Sequence, residues 1–463
     1  MSNYSIDAIG RIVGDANVDA PGSDALRQIV TRHGNIAGAR TNIVALARPG
    51  NGDELAALVK QARQDGLALL TLYNASSVGA SLGGDGDCLV LDLSRMNRIL
   101  EVNLDYAFAR VEAGASFADL ASHLAKHDLP LMVDAERDPN ASIAGSVFSK
   151  GMGFTPYADH ALVQCGGEFV LPDGALVRTG MGAMPESRTW NVYKFALGPF
   201  SDGLAIQSGG MIPTQIGIWL MGKPPAIHPF AFDLKDDDAL AAAIEFLRPL
   251  KLSNTLAGTI AITHNPFDAA RGSIAADRGE WRLFGAHYGL PATVALIASM
   301  VDGGLGQIAG CRKLDPAALG NDPVWREQIA LMSGAPSPGA PHFGSRNGSA
   351  AARMTFVAPI EGEAAISMMK TASAALDVHK LPLLVELSLC GRSLFQALYL
   401  PYEPGPVAGI STVAACASQL ITDMGKAGFG LVSETLELSR LAASTLGSSP
   451  LGQLQARVHA AIK

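Results

Sequence analysis

RTWNVYKFALGPFSDGLAIQSGGMIPTQIGIWLMGKP, residues 188–224, is the stretch of sequence that decides the fold. Its last part, QIGIWLM over residues 215–221, is an apolar run of strand length and predicts a buried strand. Pro224 and Pro225 follow it, and consecutive prolines indicate a boundary. The stretch therefore closes one structural unit and separates it from the rest of the chain.

An alternation of strands and helices precedes that boundary. Residues 52–66 have apolar residues at helical spacing and end at Gly66, which predicts a helix with its C-cap. Residues 168–180, EFVLPDGALVRTG, predict a hairpin around a Pro-Asp-Gly turn. Strands are also predicted at residues 43–49, 67–72, 88–94 and 108–116, and helices at residues 24–33 and 117–129.

The remainder of the chain predicts a second unit of helices and strands. Residues 237–250 and 360–380 have the pattern of helices, and residues 431–463 that of closing helices. The segment 333–351 is rich in Gly, Pro and Ser and predicts a long loop, either functional or a mobile connector. We expect an α+β chain with a first domain over residues 1–224, a second over residues 225–430, and C-terminal helices that return to the first.

Composition excludes several classes of protein. Hydrophobic residues make up 48% of the 463 residues and charged residues 17%, which excludes an unfolded chain. The net charge is −8 without a dense Lys/Arg run, so no nucleic-acid partner is expected. The sequence has no uninterrupted apolar stretch of about 18 residues, so no membrane span is predicted. The start lacks the pattern of a secretory signal, so we expect a cytoplasmic protein, or a periplasmic one if a partner carries it across the membrane.

Metal and haem sites are not expected either. The five cysteines have no CxxC or CxxCH spacing, which argues against a disulfide framework, a zinc knuckle and covalent haem. His123 and His127 have a metal-compatible spacing but lack a third ligand nearby in sequence, so a solvated helix face is expected.

Four further segments, read together with residues 188–224, resemble one family of flavoproteins. In this order along some 180 residues, they resemble the FAD-binding domain of the vanillyl-alcohol oxidase / p-cresol methylhydroxylase family. They are RPGNGDELAALVKQARQDGLAL (48–69), LDLSRMNRILEVNLDYAFARVEAGASFADL (91–120), SIAGSVFSKGMGFTPYADH (142–160) and GEFVLPDGALVRTGMGAMP (167–185).

The resemblance implies a fold, a chemistry and a cofactor. The fold is an α+β, two-domain FAD-binding fold of the p-cresol methylhydroxylase (PCMH) type, with a second α+β cap or substrate domain. Family members oxidise para-substituted phenols in the breakdown of aromatic compounds by bacteria, and some pass electrons to a small c-type cytochrome subunit. If FAD binds here, its contacts fall on Asn74, Ser76, Ser77, Gly79, Ile143, Gly145, Gly153, Tyr157 and Ile212.

The family's catalytic residues have no counterparts in this chain. Two tyrosines and an arginine hold the phenol oxygen in the family, and such donors stabilise a developing phenolate. At the matching positions this chain has Ser77, Val78, Val432 and Ser433. The nearest substitutes are Tyr73, Tyr399 and Arg392.

Three other positions depart from the family pattern. Phe395 and Gln396 stand where some members attach FAD covalently, so a covalent flavin is not expected. Met211 and Pro213 replace residues of a turn whose backbone approaches the flavin. The chain also stops before the segment that usually closes over the flavin in the family.

These departures lead to two main hypotheses. In the first, the chain is a catalytically degenerate subunit of a hetero-oligomer, paired with an active FAD-dependent phenol-oxidising paralogue. The alternative is an active dehydrogenase or oxidase of a para-substituted phenol, with non-covalent FAD and a rebuilt site. A third hypothesis is a flavin-free binding protein. His160 is expected to have a structural hydrogen-bonding role in any of them.

Overall fold

The computed structural model describes residues 6–27, 41–74, 77–78, 86–184, 186–206, 210–273, 278–337, 350–402, 407–432 and 449–462. Up to residue 222, the helices are α1 Ile6–Val13, α2 Gly52–Gln64, α3 Phe117–Lys126, α4 Ile143–Phe148 and α5 His160–Val163. The strands of this N-terminal part are β1 Val18–Asp19, β2 Thr41–Ala47, β3 Ala68–Asn74, β4 Ser77–Val78, β5 Gly86–Asp92, β6 Ile99–Asn103, β7 Phe108–Glu112, β8 Leu131–Met132, β9 Gln164–Val170, β10 Leu176–Arg178, β11 Ile212–Trp219 and β12 Met221–Gly222.

Two five-stranded sheets organise the N-terminal part. The first has the order β1-β2-β5-β3-β4, with β2 and β3 both parallel to β5. The second is antiparallel, with the order β10-β9-β11-β7-β6. The predicted helix over residues 52–66 is α2, which begins after Asn51, whose side chain accepts from Glu54 N. The predicted hairpin is β9–β10.

The C-terminal part begins at Ala226. Its helices are α6 Asp237–Leu252, α7 Asn265–Ala270, α8 Pro291–Gly306, α9 Pro316–Leu319, α10 Pro323–Met332, α11 Gly362–His379, α12 Val407–Lys426 and α13 Pro450–Ile462. Its strands are β13 Ala226–Leu234, β14 Ile260–His264, β15 Trp281–Gly289, β16 Cys311–Lys313, β17 Ala350–Pro359, β18 Val385–Cys390, β19 Ser393–Tyr402 and β20 Gly430–Val432.

These eight strands form one sheet with the order β16-β13-β15-β14-β18-β19-β17-β20. One face carries Phe232, Leu283 and Leu398 and packs under α6, α11 and α12 in a core of its own. The opposite face carries Ala261 and Phe284 and joins the core of the N-terminal part. We call this second surface the inner face of the sheet.

The α+β class predicted from the sequence is confirmed, and some local predictions need correction. Residues 431 and 432, at the start of the predicted closing helices, are not helical: they belong to β20, an edge strand paired with β17. The predicted helix over residues 24–33 is helical at residues 24–27, and its remainder lies outside the described residues. So does most of the predicted loop 333–351, at residues 338–349. The domain division stays a prediction.

Candidate functional site

Three of the segments predicted to contact FAD come together in the structure. Strand β4, with Ser77 and Val78, pairs with the end of β3 opposite Asn74 and Leu72. Helix α4 lies against both β4 and β11, and β11 starts at Ile212. Ser76 and Gly79 lie outside the described residues.

Hydrogen bonds fix the chain where these segments meet. The Asn74 amide donates to Asn140 O at 2.9 Å and to Gly114 O at 3.4 Å. The Ser142 hydroxyl accepts from Gly145 N at 3.0 Å, which caps α4, and donates to Ala113 O at 2.6 Å. Asn74 therefore ties the end of β3, and Ser142 the start of α4, to the loop that contains Ala113 and Gly114.

The residues at this junction are small. Ala115, Ala144 and Gly145 are buried, and a Cβ atom at Gly114 would lie 2.3 Å from Leu93 O, so packing of the protein itself requires glycine there. Of the residues predicted to contact FAD, Asn74, Ser77, Ile143, Gly145 and Ile212 lie on the segments that meet here, and their contact with FAD stays a prediction.

Gly153 has a different explanation from the predicted flavin contact. A Cβ atom at this position would lie 1.3 Å from Asp134 Oδ1, so packing of the protein itself requires glycine. Asp134 accepts hydrogen bonds from the backbone N–H groups of Phe154 and Thr155, at 3.2 and 2.5 Å. Tyr157, in the same loop, is half-buried, and its backbone N–H donates to the Thr155 hydroxyl at 3.1 Å.

A buried chain of polar side chains lies behind this loop, and sequence reasoning missed most of it. His160 Nε2 is 3.0 Å from Asp134 Oδ1, and His160 Nδ1 is 2.6 Å from Ser146 Oγ. The Ser146 hydroxyl also donates to Glu136. The motif TPYADH signals only the histidine, because its partners lie 26 and 14 residues away.

The order of donors in this chain determines the charge of His160. An ionised Glu136 can only accept, so the Ser146 proton points to it, and Ser146 must accept from His160 Nδ1–H. His160 Nε2–H then donates to Asp134, which makes the ring doubly protonated. Burial lowers the pKa of His160, but the hydrogen bond to Asp134 and the charges of Asp134 and Glu136 outweigh burial and raise the pKa above its ordinary value. Because the Ser146 proton is directed to Glu136, this group is not arranged as a hydrolytic triad.

The three candidate substitutes for the missing catalytic residues occupy different environments. Tyr73 is buried in the core and stacks on Phe148 at 6.4 Å between ring centroids, and burial raises the pKa of its hydroxyl. Arg392 is exposed on the tight turn that joins β18 and β19. Tyr399 lies on the inner face of the sheet, with its ring 4.8 Å from that of Phe267.

Charged residues surround Tyr399 on the inner face. Arg353 is its register partner on β17, with the guanidinium 6.0 Å from the tyrosine ring. Burial raises the pKa of Tyr399, and the positive charge of Arg353 opposes that rise. Arg137, from the N-terminal part, forms ion pairs with Glu327 on α10 and with Glu386 on β18. Arg271 shares Glu327 with it.

The remaining predicted site residues are divided between the two faces and the edge of the sheet. Gln396 is fully buried and its amide donates to Met369 Sδ at 3.1 Å, so it faces α11 on the opposite side of the sheet from Tyr399. Phe395 lies four positions before Tyr399 on β19, so it shares the inner face, and it is half-buried. Val432 pairs with Thr355 at the edge of the sheet, and Ser433 lies outside the described residues.

Within the described part of the chain, no three metal-ligating side chains are grouped so that they could hold a metal ion. His123 and His127 form a pair on α3 and its C-cap, with ring centroids 4.6 Å apart. No helix in that part is long and apolar enough to cross a membrane.

Comparison with known proteins identifies the family. Residues 43–180 match the FAD binding domain family. The flavoprotein subunit of 4-cresol dehydrogenase (hydroxylating) from Pseudomonas putida is 27% identical over 369 residues, which cover 74% of this chain and 70% of that protein. Both matches support the vanillyl-alcohol oxidase / p-cresol methylhydroxylase family that the sequence resembles. The chain therefore contains a domain that matches FAD-binding domains.

Solved structures in this family share the whole fold. The 4-ethylphenol oxidase from Gulosibacter chungangensis superposes with a TM-score of 0.88 at 24% identity, over 98% of this chain and 92% of that one. Substrate-bound p-cresol methylhydroxylase gives 0.88 at 24% identity, over 99% of this chain and 93% of that one. The predicted PCMH-type fold is thus confirmed, including the C-terminal part beyond the matched FAD-binding domain.

Proposed function

We propose that this chain is a PCMH-type FAD-binding subunit that does not oxidise phenols itself. It acts as the non-catalytic partner of an active, FAD-dependent, phenol-oxidising paralogue in a hetero-oligomer. Bound FAD supplies a hydride acceptor. Hydride transfer from a para-substituted phenol also needs groups that take up or stabilise the phenol proton and charge.

The proposal rests on where the chain places the polar side chains that could replace the family's catalytic residues. Ser77, Val78 and Val432 offer no ionisable side chain at the family positions. Tyr73 has its hydroxyl in the core, and Arg392 projects from an exposed turn. A phenolate at the family positions would therefore lack the two tyrosines and the arginine that the family resemblance requires there.

The relatives support the assembly part of the proposal. The Pseudomonas putida relative is itself a flavoprotein subunit. A small c-type cytochrome would join the assembly if the paralogue passes its electrons on. The aromatic substrate would then bind to the active subunit, and the compartment would be the cytoplasm, or the periplasm if the partner carries the export signal.

An absorption spectrum of the purified chain tests the proposal first. We expect a flavin band near roughly 450 nm, a property of the isoalloxazine ring. Acid precipitation should release the flavin into the supernatant, because Phe395 and Gln396 cannot bond to it covalently. Anaerobic addition of a 4-alkylphenol should leave the band unbleached, and co-expression with the paralogue should give a stable complex. If the 4-alkylphenol bleaches the flavin band as fast as an ordinary enzyme turns over its substrate, the chain is not a non-catalytic subunit.

One observation favours the alternative of an active enzyme. Tyr399 and Arg353 face each other on the inner face, as a tyrosine and an arginine would in a rebuilt phenol site. If a phenol does bleach the flavin, Tyr399→Phe should slow bleaching about 100-fold or more, a usual loss when a general acid–base group is removed. Tyr73→Phe is the matched control, since Tyr73 lies in the core.

A further inference from the structure

A cavity of about 620 Å³ opens on the C-terminal part of the chain, and none of the residues predicted to contact FAD lines it. We call it the outer cavity. Its lining comes from the end of β14, the beginnings of α7 and β15, and one side of α11. Its volume lies within the range of about 300–1,000 Å³ that is usual for small-molecule sites in proteins.

The outer cavity lies on the opposite side of the eight-stranded sheet from Tyr399. Two residues of its lining, Trp281 and Met369, belong to the core that packs under α6 and α11, together with Leu398. Tyr399 follows Leu398 on β19 and therefore faces the other way, to the inner face. The sheet itself thus separates a ligand in the outer cavity from the inner face.

One wall of the outer cavity is aromatic. Trp281 and His264 are register partners on β15 and β14, with ring centroids 4.7 Å apart. The Trp281 indole N–H donates to Asp237 Oδ1 at 3.0 Å, which fixes the orientation of the ring. Met369 and Leu383 add apolar surface to the lining. Such a wall suits a flat aromatic ligand, because aromatic rings and thioether sulfur pack well on one another.

His264 supplies a hydrogen-bond acceptor in the lining. Its Nδ1 lies 3.3 Å from Leu383 O, and a carbonyl oxygen only accepts, so Nδ1 carries a proton. Burial lowers the pKa of His264 below its ordinary value, which keeps the ring neutral at neutral pH. Nε2 therefore has a lone pair, and it has no hydrogen-bond partner in the described part of the chain. A ligand with an N–H or O–H group can donate to it.

Helix α11 supplies two donors to the lining. Lys370 and Ser373 are three residues apart, so they lie on the same side of the helix. Neither side chain has a hydrogen-bond or ion-pair partner among the residues that the structure describes. An ammonium group and a hydroxyl group on one side of a helix can both donate to a carboxylate, and hydrogen bonds to a charged acceptor are the stronger kind.

The charges of the lining favour a ligand with one negative charge. Arg278 pairs with the buried Asp268 at 3.3 Å, so its charge is compensated within the protein. Lys235 and Glu280 have opposite charges and are exposed, so both can turn to solvent. Lys370 is therefore the cation left for a ligand, which suits a carboxylate better than a polyphosphate.

We propose that the outer cavity binds a small aromatic monocarboxylate whose ring carries an N–H or O–H group. The carboxylate accepts from Lys370 and Ser373, the ring packs against Trp281, and the N–H or O–H group donates to His264 Nε2. The inference does not depend on whether the chain oxidises phenols, because the inner face takes no part in it.

Isothermal titration calorimetry of the full chain with indole-3-acetate, at neutral pH, tests the proposal. We expect binding with a dissociation constant below about 1 mM. Tryptamine has the same ring and N–H group but an ammonium group in place of the carboxylate, so it should not bind detectably.

A substitution on α11 tests the carboxylate contact. Lys370→Met should raise the dissociation constant for indole-3-acetate about 10-fold, a usual loss for a hydrogen bond to a charged group. Lys126→Met is the matched control, because Lys126 is exposed on α3 in the N-terminal part. It should leave the dissociation constant unchanged. Lys370 is exposed, so circular dichroism of its variant should match the wild type.

A double-mutant cycle tests the contact with His264. The ligand 1-methylindole-3-acetate lacks the N–H donor, so it should bind the wild type about 5-fold more weakly than indole-3-acetate. His264→Phe keeps an aromatic ring and loses the acceptor, so it should weaken binding of indole-3-acetate by a similar factor. The same substitution should leave binding of 1-methylindole-3-acetate unchanged. If the two losses add instead, the ring N–H does not meet His264 and the proposed site is wrong.

A variant of the inner face separates the two sides of the sheet. Tyr399→Phe should leave the dissociation constant of indole-3-acetate unchanged, because Tyr399 faces away from the outer cavity. No binding of indole-3-acetate, equal binding of tryptamine, or an equal loss with Lys126→Met or Tyr399→Phe would each overturn the proposal. The flavin spectrum with a 4-alkylphenol tests phenol oxidation separately, so the failure of one proposal leaves the other standing.

Discussion

His160 is hydrogen-bonded to the buried Asp134 and, through Ser146, to the half-buried Glu136, and this has a consequence for stability. Its folded-state pKa is raised above the ordinary 6.5, so the stability that it contributes is fully present below pH 6.5 and is lost as pH rises through the folded pKa. We predict that His160→Gln costs about 2–4 kcal/mol at low pH, a usual loss for a buried charged hydrogen bond. The cost should shrink as pH rises.

Urea unfolding of the wild type and His160→Gln from about pH 5.5 to about pH 9 measures this difference. His127→Gln is a suitable control, because His127 is exposed at the C-cap of α3. A difference that stays constant or grows with pH would mean that His160 is neutral in the folded chain.

His287 is a buried histidine whose pKa is lowered, whereas that of His160 is raised. It is 3% exposed, it stacks on Phe230 at 4.6 Å, and neither ring nitrogen has a hydrogen-bond partner among the described residues. Burial lowers its pKa to about 4, so the unfolded state takes up the proton first and stability falls as pH falls from 6.5 towards 4.

We predict that His287→Phe removes this acid sensitivity. At pH 7 the variant should be as stable as the wild type or about 1 kcal/mol more stable, because two unsatisfied buried nitrogens are gone. By about pH 5 the advantage should grow by about 2 kcal/mol, the free energy linked to a pKa of 6.5 that falls to about 4. Thermal unfolding at both pH values would show it, and an equal or smaller advantage at pH 5 would contradict it.

The residue scale also shows what the sequence could not decide. Tyr399 and Gln396 stand three positions apart on β19, so they face opposite sides of the sheet, and no local pattern says which side is inner. Asp134, Glu136 and Ser146 gain their roles from contacts with distant parts of the chain. The motif that contains His160 was visible, but its partners were not.

At the scale of elements, Arg137 joins a loop of the N-terminal part to α10 and β18 of the C-terminal part. Removing one member of a buried ion-pair network leaves its partners uncompensated. We predict that Arg137→Met lowers the free energy of unfolding by about 3–5 kcal/mol, because Glu386 and part of the charge on Glu327 stay buried.

Arg248→Met supplies the matched control for that substitution. Arg248 pairs with Glu245 on the surface of α6, where an ion pair contributes about 0–1 kcal/mol. Urea denaturation of both variants should separate them clearly. A loss below about 1 kcal/mol for Arg137→Met would show that the network does not hold the two parts together.

The elements that the sequence predicted correctly are those with a local signature. Helix α2 has an N-cap at Asn51, apolar residues at helical spacing and Gly66 after its end, so its bounds were close to the prediction. The eight-stranded sheet was harder, because both faces of β13 are apolar: Phe232 faces one core and Ala231 the other. Strand β20 depends on pairing with β17, some 75 residues away, which no local pattern predicts.

At the scale of the whole molecule, bound FAD should stabilise the folded chain as well as give it a flavin absorption band. Ser77, Ile143 and Ile212, which are predicted to contact FAD, stand on β4, α4 and β11, which meet in the structure. A ligand that binds only the folded chain stabilises it by about 2.7 kcal/mol at a concentration 100-fold above its dissociation constant. We therefore predict that FAD raises the unfolding temperature of flavin-depleted protein in a concentration-dependent way.

FMN is the matched control, because it has the same isoalloxazine ring but lacks the adenylate half of the dinucleotide. Strand β4 and helix α4 lie within the part that matches an FAD-binding domain, and β11 follows it, so FMN should shift the unfolding temperature much less than FAD. This readout needs no catalysis, so it tests cofactor binding even if the chain never turns over a phenol. Equal shifts with both flavins would mean that the isoalloxazine ring alone supplies the binding energy. No shift with FAD at any concentration would mean that this chain does not bind the cofactor.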